Sequence, residues 1–405
     1  MKVVLVNKFL YSKGGDAITT LNTGKLLCAK GHEVIFWGMK HPFNPKYPFE
    51  DYFVSNVDFN KPTSLSQQFK TSFNILYSLE AKRKIEEFIK AERPDIVHLN
   101  NFAHQISPSI LDIFRKYKIS TVMTIHDYKL VCSSWYMLAK GKPCEKCEGG
   151  KYYWCFLNKC TKNSYLKSLI NVVEMYLHHK ILHIYDKIDV FISPSIFLKE
   201  KLKEMGFKKE IIYLPNFINT KEYEPEYNSN DKTICYFGRL SKEKGVFTLL
   251  DAMKGSNAKL KIIGEGPLKK RLRLKVKSEK LDNIDFLGYK TGDELKNEIK
   301  NSVAVVLPSE CYENNPRAVL EAFASGKPVI GARIGGIPEL VKDNETGLTF
   351  QPRNPENLRE KILMLIDNPN KVAQMGKNAR KFVEENFNPE KYYKKLIKIY
   401  QSADR

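Results

Sequence analysis

No run of apolar residues in this 405-residue chain approaches the roughly 18 that a membrane-spanning helix needs. The opening Met1–Val6 is a short apolar run cut by Asn7-Lys8. It is briefer than the about 7–15-residue apolar core of a secretory leader, and it reads as a first strand. Acidic residues are in deficit. The 46 Asp and Glu face 66 Lys and Arg, a formal charge of +20, which favours phosphorylated substrates, nucleic acid or anionic membranes as partners. Glycine (22) and proline (19) are at ordinary levels, which excludes collagen-like and low-complexity chains. Eight cysteines are too few and too unevenly spaced for a disulfide scaffold of this length. Cys28, Cys235 and Cys311 sit in apolar segments and are expected as reduced core residues. With 42% hydrophobic residues the chain has ample core material, and at roughly 100–200 residues per domain two domains are expected.

The first residues read as strand, glycine loop, helix, strand: Lys2–Val6, then Gly14-Gly15, then Ala17–Ala29, then Glu33–Trp37. This is a βαβ unit and hence a parallel sheet. Short apolar runs of buried-strand type follow at 95–99, 120–125, 190–192 and 211–214, with helical periodicity between them, as in 80–91 and 165–185. The segment 216–231 is polar and aperiodic, with linker composition. Beyond it the alternation restarts, with strands at 233–237, 260–263, 284–287, 303–307 and 328–330. Two doubly wound α/β domains are expected, with ligands at the carboxyl ends of the strands in the cleft between them.

The strongest chemical signal is Glu313-Asn314-Asn315-Pro316-Arg317-Ala318-Val319-Leu320-Glu321, directly after a strand. Pro316 suits the first turn of a helix. That helix would offer backbone N–H groups to phosphate oxygens, and a carboxylate facing the same cleft can accept from sugar hydroxyls. A second loop, Phe237–Gly245, carries Arg239 and Lys244, which can neutralise a diphosphate. It lacks the order of a P-loop. Gly264-Glu265-Gly266-Pro267 ends the next strand; by itself it is a weak signal, readable as a plain turn. No Asp-x-Asp pair stands near these loops, so no divalent ion is implied in catalysis.

The strings FGRLSKEKG, GEGP, PSECYENNPRAVLEAFASGKPVI and GGIPELV, in this order across 236–341, resemble family 4 of the retaining glycosyltransferases, which have the GT-B fold: two Rossmann-like domains facing a central cleft. Gly14-Gly15 and Thr124–Tyr128 extend the resemblance to the N-terminal half. The resemblance implies that Arg239 and Lys244 hold the donor diphosphate and stabilise the leaving group. It places Glu321 on the ribose, Glu313 on the transferred sugar and Gly15 against the phosphates. It puts His126 in the catalytic pocket on the acceptor side, and Gly264 and Glu265 near the nucleobase. Where the family has an aromatic residue and a glycine after the first Glu, this chain has Asn314 and Asn315, which are expected in the donor-binding loop. The resemblance further implies a final helix, 389–400, crossing back to the first domain, so that this domain comprises 1–215 plus about 386–405 and the donor domain 232–385. The implied activity is metal-independent transfer of a hexose-type sugar from a UDP- or GDP-sugar to a glycan or lipid-linked acceptor in surface polysaccharide or lipopolysaccharide assembly. A nucleotide-sugar epimerase is the alternative on the same fold, and a basic nucleic-acid-binding protein the alternative of another class. The latter is disfavoured because the lysine clusters lack interleaved aromatics and no helix-turn-helix pattern occurs, so no nucleic acid is expected.

Two features lie outside this pattern. Cys144-x2-Cys147-x7-Cys155-x4-Cys160 has the ligand count of a structural zinc site, against the competing reading of free or redox-active thiols, and Cys132 precedes it. The helix expected at 165–185 carries Leu166, Leu169, Ile170, Val173, Leu177, Ile181 and Ile184 on one face. That face is expected to pack in the core. The lysines around it (129, 140, 142, 146, 151, 159, 162 and 167) leave open that it instead lies on an anionic membrane, placing a cytoplasmic enzyme on the inner face of the cell membrane. The basic run 269–280 is expected to be a solvated helix face.

Overall fold

The computed structural model describes residues 1–58, 72–228 and 231–403. Ser229 and Asn230 of the expected linker, and the terminal Asp404 and Arg405, lie outside the described residues. In the first half the strands are β1 (Lys2–Asn7), β2 (Glu33–Gly38), β3 (Ile96–Leu99), β4 (Ser120–Thr124), a small ribbon β5 (Leu138–Ala139) and β6 (Lys142–Pro143), β7 (Val190–Ser193) and β8 (Ile211–Tyr213). In the second they are β9 (Thr233–Phe237), β10 (Lys259–Ile263), β11 (Ile284–Gly288), β12 (Ala304–Leu307), β13 (Val329–Ala332) and β14 (Gly347–Phe350).

Two six-stranded sheets result, in the orders β2-β1-β3-β4-β7-β8 and β11-β10-β9-β12-β13-β14. Every pairing within them is parallel. The apolar runs account for this, because helices cover both faces of a parallel sheet and its strands bury side chains on both sides. Val3, Val4, Leu5 and Val6 are all fully buried, as are Ala304–Val306. Each order reverses direction once, between β1 and β3 and between β9 and β12. These switch points open crevices at the carboxyl ends of the strands, where ligands bind in doubly wound folds. The loops after β9 and β12 are those carrying Arg239, Lys244 and Glu313.

The last helix, Pro389–Ala403, packs Tyr392, Leu396, Ile399 and Tyr400 against Val3, Leu5, Ile96 and Val122 of the first sheet. The chain thus passes twice between the two halves, and the Ile218 N–H donates to the Phe387 carbonyl at 2.9 Å where the two passages meet. The basic helix Lys269–Ser278 buries only Leu272, in keeping with a solvated face.

Three expectations are corrected. Cys28 is exposed, because the helix Gly15–Ala29 turns Thr20, Thr23 and Leu27 inward and leaves position 28 on its outer side. Pro316 is the N-cap of the helix Arg317–Ala324, one position before its first turn, with extended backbone. The helix at 165 ends at Tyr176 and passes into a π-turn over Leu177–Ile181, and its leucine face is not in the core. Leu166 is 65% exposed, Leu169 44%, Val173 45% and Ile181 69%. The inward face is mixed instead: Ser168, Asn171, Glu174 and His178 are buried beside Val172 and Met175, and of the expected apolar face Ile184 is fully buried. Glu174 receives the Lys129 ammonium at 2.7 Å and lies 2.9 Å from His104 Nε2. Burial would raise the Glu174 carboxyl, but His104 and Lys129 hold it far below the ordinary carboxylate value. A paired charge can therefore take the inside position and leave apolar residues outside.

Candidate active site

One wall of the cleft is built from three strand ends of the second sheet. After β9, Gly238 has φ +154°, and after β10, Gly264 has φ +142°. A side chain on Gly264 would meet the Gly238 carbonyl oxygen at 2.0 Å, and one on Gly266 the Leu240 carbonyl at 2.4 Å. The two loops therefore close on each other backbone to backbone, which only glycine permits. Arg239 projects from this joint, exposed, and its side chain makes no ion pair or hydrogen bond among the described residues. Glu265 pairs with Lys269.

Lys244 turns from the same loop toward the third. Its ammonium lies 2.6 Å from Glu313 Oε1, which also accepts from Ser309 Oγ at 2.5 Å. Burial would lower the Lys244 pKa, but Glu313 holds it well above the ordinary lysine value. Burial would likewise raise the Glu313 carboxyl, and the attraction and hydrogen bond of Lys244, with that of Ser309, hold it below the ordinary value. Eight residues on, Glu321 accepts from Arg317 Nη2 at 3.3 Å. Burial raises its carboxyl, and Arg317 only partly counters this. Arg317 Nε and Nη1 are buried with no partner among the described residues. The two carboxylates are thus in different states of need: Glu313 is already saturated by a cation and a hydroxyl, and Glu321 is under-supplied and can take hydroxyl donors.

Asn314 and Asn315 have other occupations. Asn314 Oδ1 accepts from Ser195 Oγ at 2.7 Å and its amide donates to the Ile125 carbonyl at 3.2 Å. It is a strut between the halves, one residue from His126. Asn315 is buried, and its Oδ1 lacks a partner among the described residues. The loop is held from behind by Gly335 (φ +62°) and Gly336, where a Cβ would strike the Glu313 and Asn314 backbone at 2.5 and 2.0 Å.

The facing wall comes from the first sheet. The helix Gly15–Ala29 begins after an extended Gly14 with no side-chain cap, so its first N–H groups are available to an anion. A Cβ on Gly15 would reach Arg317 Cδ at 3.9 Å, which brings this terminus to the Glu321 side of the opposite wall. His126 follows β4, and its Nε2 pairs with Asn100 Oδ1 at 2.9 Å. Burial lowers its pKa against Asp16 and Asp127, so the imidazole is held neutral. Asn101 donates to Asp16 at 3.0 Å. Ser309, Arg317 and Asn100 were not singled out from the sequence. Ser309 and Asn100 stand just past strand ends, the same positional signal that picks out His126.

Two family models cover this architecture in series: Glycosyltransferase Family 4 over residues 13–222 and Glycosyl transferases group 1 over 218–382. The chain belongs to glycosyltransferase family 4. It is 34% identical over 214 residues to an uncharacterized glycosyltransferase of Methanocaldococcus jannaschii, covering 53% of this chain and 59% of that one. It is 25% identical over 230 residues to the putative colanic acid biosynthesis glycosyltransferase WcaL of Escherichia coli, covering 53% and 57%. Both matches span less than two thirds of the relative's length. Among solved structures, Anabaena HepE in complex with UDP and glucose superimposes with a TM-score of 0.69 at 16% identity, covering 99% of this chain and 100% of that one. This likeness bears on the fold, which is GT-B.

In this family member the segment between β4 and the helix Tyr165–Tyr176 faces the loop after β9. An open cavity of about 600 Å³ lies there, lined by Tyr136, Lys140 and Lys159 from that segment and by Lys242 and Glu243 from that loop. Behind it the thiols of Cys144, Cys147, Cys155 and Cys160 gather round a second, small cavity, joined by Cys132. All are free. As the side chains stand, no group of three or more His, Cys, Asp or Glu among the described residues could hold a metal ion. Likewise, no described helix is long and apolar enough to cross a membrane.

Proposed function

We propose that this enzyme transfers a sugar, with retention of anomeric configuration and without a catalytic metal, from a UDP- or GDP-sugar to a lipid-linked or glycan acceptor in surface polysaccharide assembly. The observation that carries the reading is the pair of unlike carboxylates on one loop and helix at the switch point of the second sheet, with Lys244 seated on Glu313. Glu321 takes the ribose hydroxyls. The diphosphate lies between the first turn of Gly15–Ala29 and the cations Arg239 and Lys244. These two charges do the work a divalent ion would otherwise do, stabilising negative charge as it develops on the leaving group. The C1–O bond to the diphosphate breaks, the acceptor oxygen bonds C1 on the same face, and the acceptor proton passes to the departing phosphate oxygen. Neutral His126 lines the acceptor side, and Gly264 and Glu265 flank the base. HepE was solved with UDP and glucose, so a uridine donor is the first to test.

The acceptor reading rests on the Lys140, Lys159 and Lys242 rim, which suits an anionic group such as a lipid diphosphate. Beside it the exposed Leu166, Leu169, Val173 and Ile181 stripe, with Lys167 on the same helix and Lys162 in the turn before it, suits an anionic membrane surface that would present such an acceptor. The relation to WcaL supports polysaccharide assembly as the setting.

The deciding experiment is a thermal-shift panel of UDP, GDP, ADP, CMP and TDP on the wild type and on Glu321→Ala. Saturation at 100 Kd adds about 2.7 kcal/mol and raises Tm by several degrees. One nucleotide shifting the wild type and not the variant is the expected result. No shift with any nucleotide would remove the donor site.

A further inference from the structure

The segment 127–163 is long for a connection inside a compact domain, and its regular structure is sparse: the ribbon β5–β6 with two residues per strand, one 3₁₀ turn and the four-residue helix Trp154–Leu157. It is also conformationally costly. Of the fourteen non-glycine residues with positive φ among the described residues, six fall in it: Trp135, Met137, Lys140, Lys159, Lys162 and Asn163. Each such residue costs on the order of 1 kcal/mol unless the surroundings over-determine it. Its two ends are tied to the core of the first half by Tyr128, Leu130, Val131, Met137 and Tyr152, while the stretch between them, 138–151, is rich in lysine and glycine and buries only Cys147.

What the segment does contain is thiols, brought together from a span of 29 positions. Cys144 follows directly on β6, its N–H donating to the Met137 carbonyl at 2.8 Å. Cys147 lies on the next turn. Cys155 is on the short helix, and Cys160 just after it, its N–H bonded to the Cys155 carbonyl at 3.0 Å. Cys132 enters from the other side. All five line one small cavity, with Trp154 and Leu138 closing it. Two of the thiols already have hydroxyl partners, Cys132 Sγ with Ser134 Oγ at 3.4 Å and Cys155 Sγ with Thr161 Oγ1 at 3.9 Å. A tight Cys-x2-Cys turn at the end of a ribbon, facing thiols from a helix, is the arrangement in which a chain closes on a tetrahedral thiolate-bound ion.

We propose that this cluster binds one structural zinc ion, held by Cys132, Cys144, Cys147 and one thiol of the Cys155–Cys160 pair. A cysteine reorients its sulfur by rotation about a single bond, so thiols that line one small cavity can turn onto a common ion. Binding releases the thiol protons and joins the turn at 144–147 to the stretches around Cys132 and Trp154–Cys160, which the core already holds. Five thiols line the cavity and a tetrahedral ion takes four, so one of Cys155 and Cys160, which stand five positions apart on one short stretch, is supernumerary. Ser134, Leu138, Asn158 and Cys160 line both the thiol cavity and the lysine-rimmed cavity in front of it, so the ion would set the shape of the acceptor-side wall. The inference stands whether or not the acceptor is lipid-linked.

The test uses the full chain purified under reducing conditions without chelator. Metal analysis is expected to give about one zinc and no iron per chain. Cobalt-grown protein is expected to show the intense visible bands of tetrahedral thiolate coordination, a readout on the wild type that does not depend on any variant folding. Cys144→Ser and Cys147→Ser are expected to lose the zinc, while one of Cys155→Ser and Cys160→Ser keeps it. Protein without zinc, zinc retained in Cys147→Ser, iron in its place, or mass spectrometry showing Cys132–Cys147 and Cys155–Cys160 disulfides would each overturn the proposal.

Discussion

Tyr400, on the last helix, hydrogen-bonds His98 Nδ1 on β3 at 2.7 Å across 302 positions of sequence. The other ring nitrogen pairs with Thr124 on β4 at 2.7 Å. The returning helix is therefore fastened to the first sheet through one buried imidazole. Burial lowers the His98 pKa from 6.5 to about 3. The unfolded chain takes up a proton there between those values and the folded one does not, so stability falls as pH drops from about 6.5 to 3. His98→Leu should flatten that limb of the acid-unfolding curve. Tyr400→Phe should cost about 1–3 kcal/mol at pH 7 by leaving a ring nitrogen unpaired. Denaturant titrations across pH 3–7 measure both.

Arg239 and Lys244 are assigned the same diphosphate, but they differ as structural members. Arg239 is exposed, whereas Lys244 neutralises the buried Glu313 carboxylate. Arg239→Ala should lower kcat by about 10²–10³ with Tm unchanged, the scale expected for removing one stabiliser of leaving-group charge. Lys244→Ala should lower kcat as far and also cost roughly 3–5 kcal/mol of stability, because it strands a buried charge. Glu313→Gln in the Lys244→Ala background should restore most of the stability and none of the activity. Paired melting and steady-state assays separate the two.

The parallel strands and the second-half motifs are legible in the sequence because each is local: a continuous apolar run, or a loop whose residues act together where the strand ends. What could not be read was set by partners far along the chain. The periodicity of 165–181 marks an amphipathic helix, but which face turns inward depends on Lys129 and His104 meeting Glu174, and no spacing encodes that. Spacing gave four cysteines of the thiol cluster, and the fold brought Cys132 to them. Asn314 looked like a departure in the sugar loop; in the fold it bonds Ile125 and Ser195 on the opposite half. β14, only Gly-Leu-Thr-Phe, was too short to stand out as a strand.

Glu321 carries a carboxyl raised by burial and only one guanidinium hydrogen bond. Glu321→Gln keeps the volume and removes the charge. It should raise the donor KM by about 10–150-fold, the range for hydrogen bonds to a charged group of about 1.5–3 kcal/mol, with a smaller change in kcat. Initial rates at varied donor and saturating acceptor measure this, and an unchanged KM would free Glu321 from the ribose role.

Gly15 is open where Gly264 is not. A Cβ at 15 meets nothing closer than 3.9 Å, whereas at 264 it would lie 2.0 Å from a carbonyl oxygen with φ at +142°. Gly15→Ala should leave the stability within about 1 kcal/mol of wild type, since alanine suits a helix better than glycine. It should weaken donor binding if the phosphates pack on that backbone. Gly264→Ala should instead destabilise by several kcal/mol, in line with forced overpacking. Calorimetric donor titration of Gly15→Ala is the informative half, because a change there cannot be ascribed to the fold.

Lys327 is fully buried between the helix Arg317–Ala324 and β13, and its ammonium has no hydrogen-bond partner among the described residues. Burial lowers its pKa from 10.5 to about 8, opposed only weakly by Glu226. Below pH 8 both folded and unfolded chains carry the proton, and the folded state bears the full cost of the buried charge. Between about pH 8 and 10.5 the folded state sheds the proton first, so this group makes stability rise with pH in that window. Lys327→Met keeps the stem and removes the charge. It should stabilise the protein by about 1–3 kcal/mol at pH 7, raise Tm by a few degrees, and abolish the alkaline rise. Melting curves of both proteins from pH 7 to 10.5 test this, and a variant less stable than wild type at pH 7 would mean that the ammonium has a partner worth more than its desolvation cost.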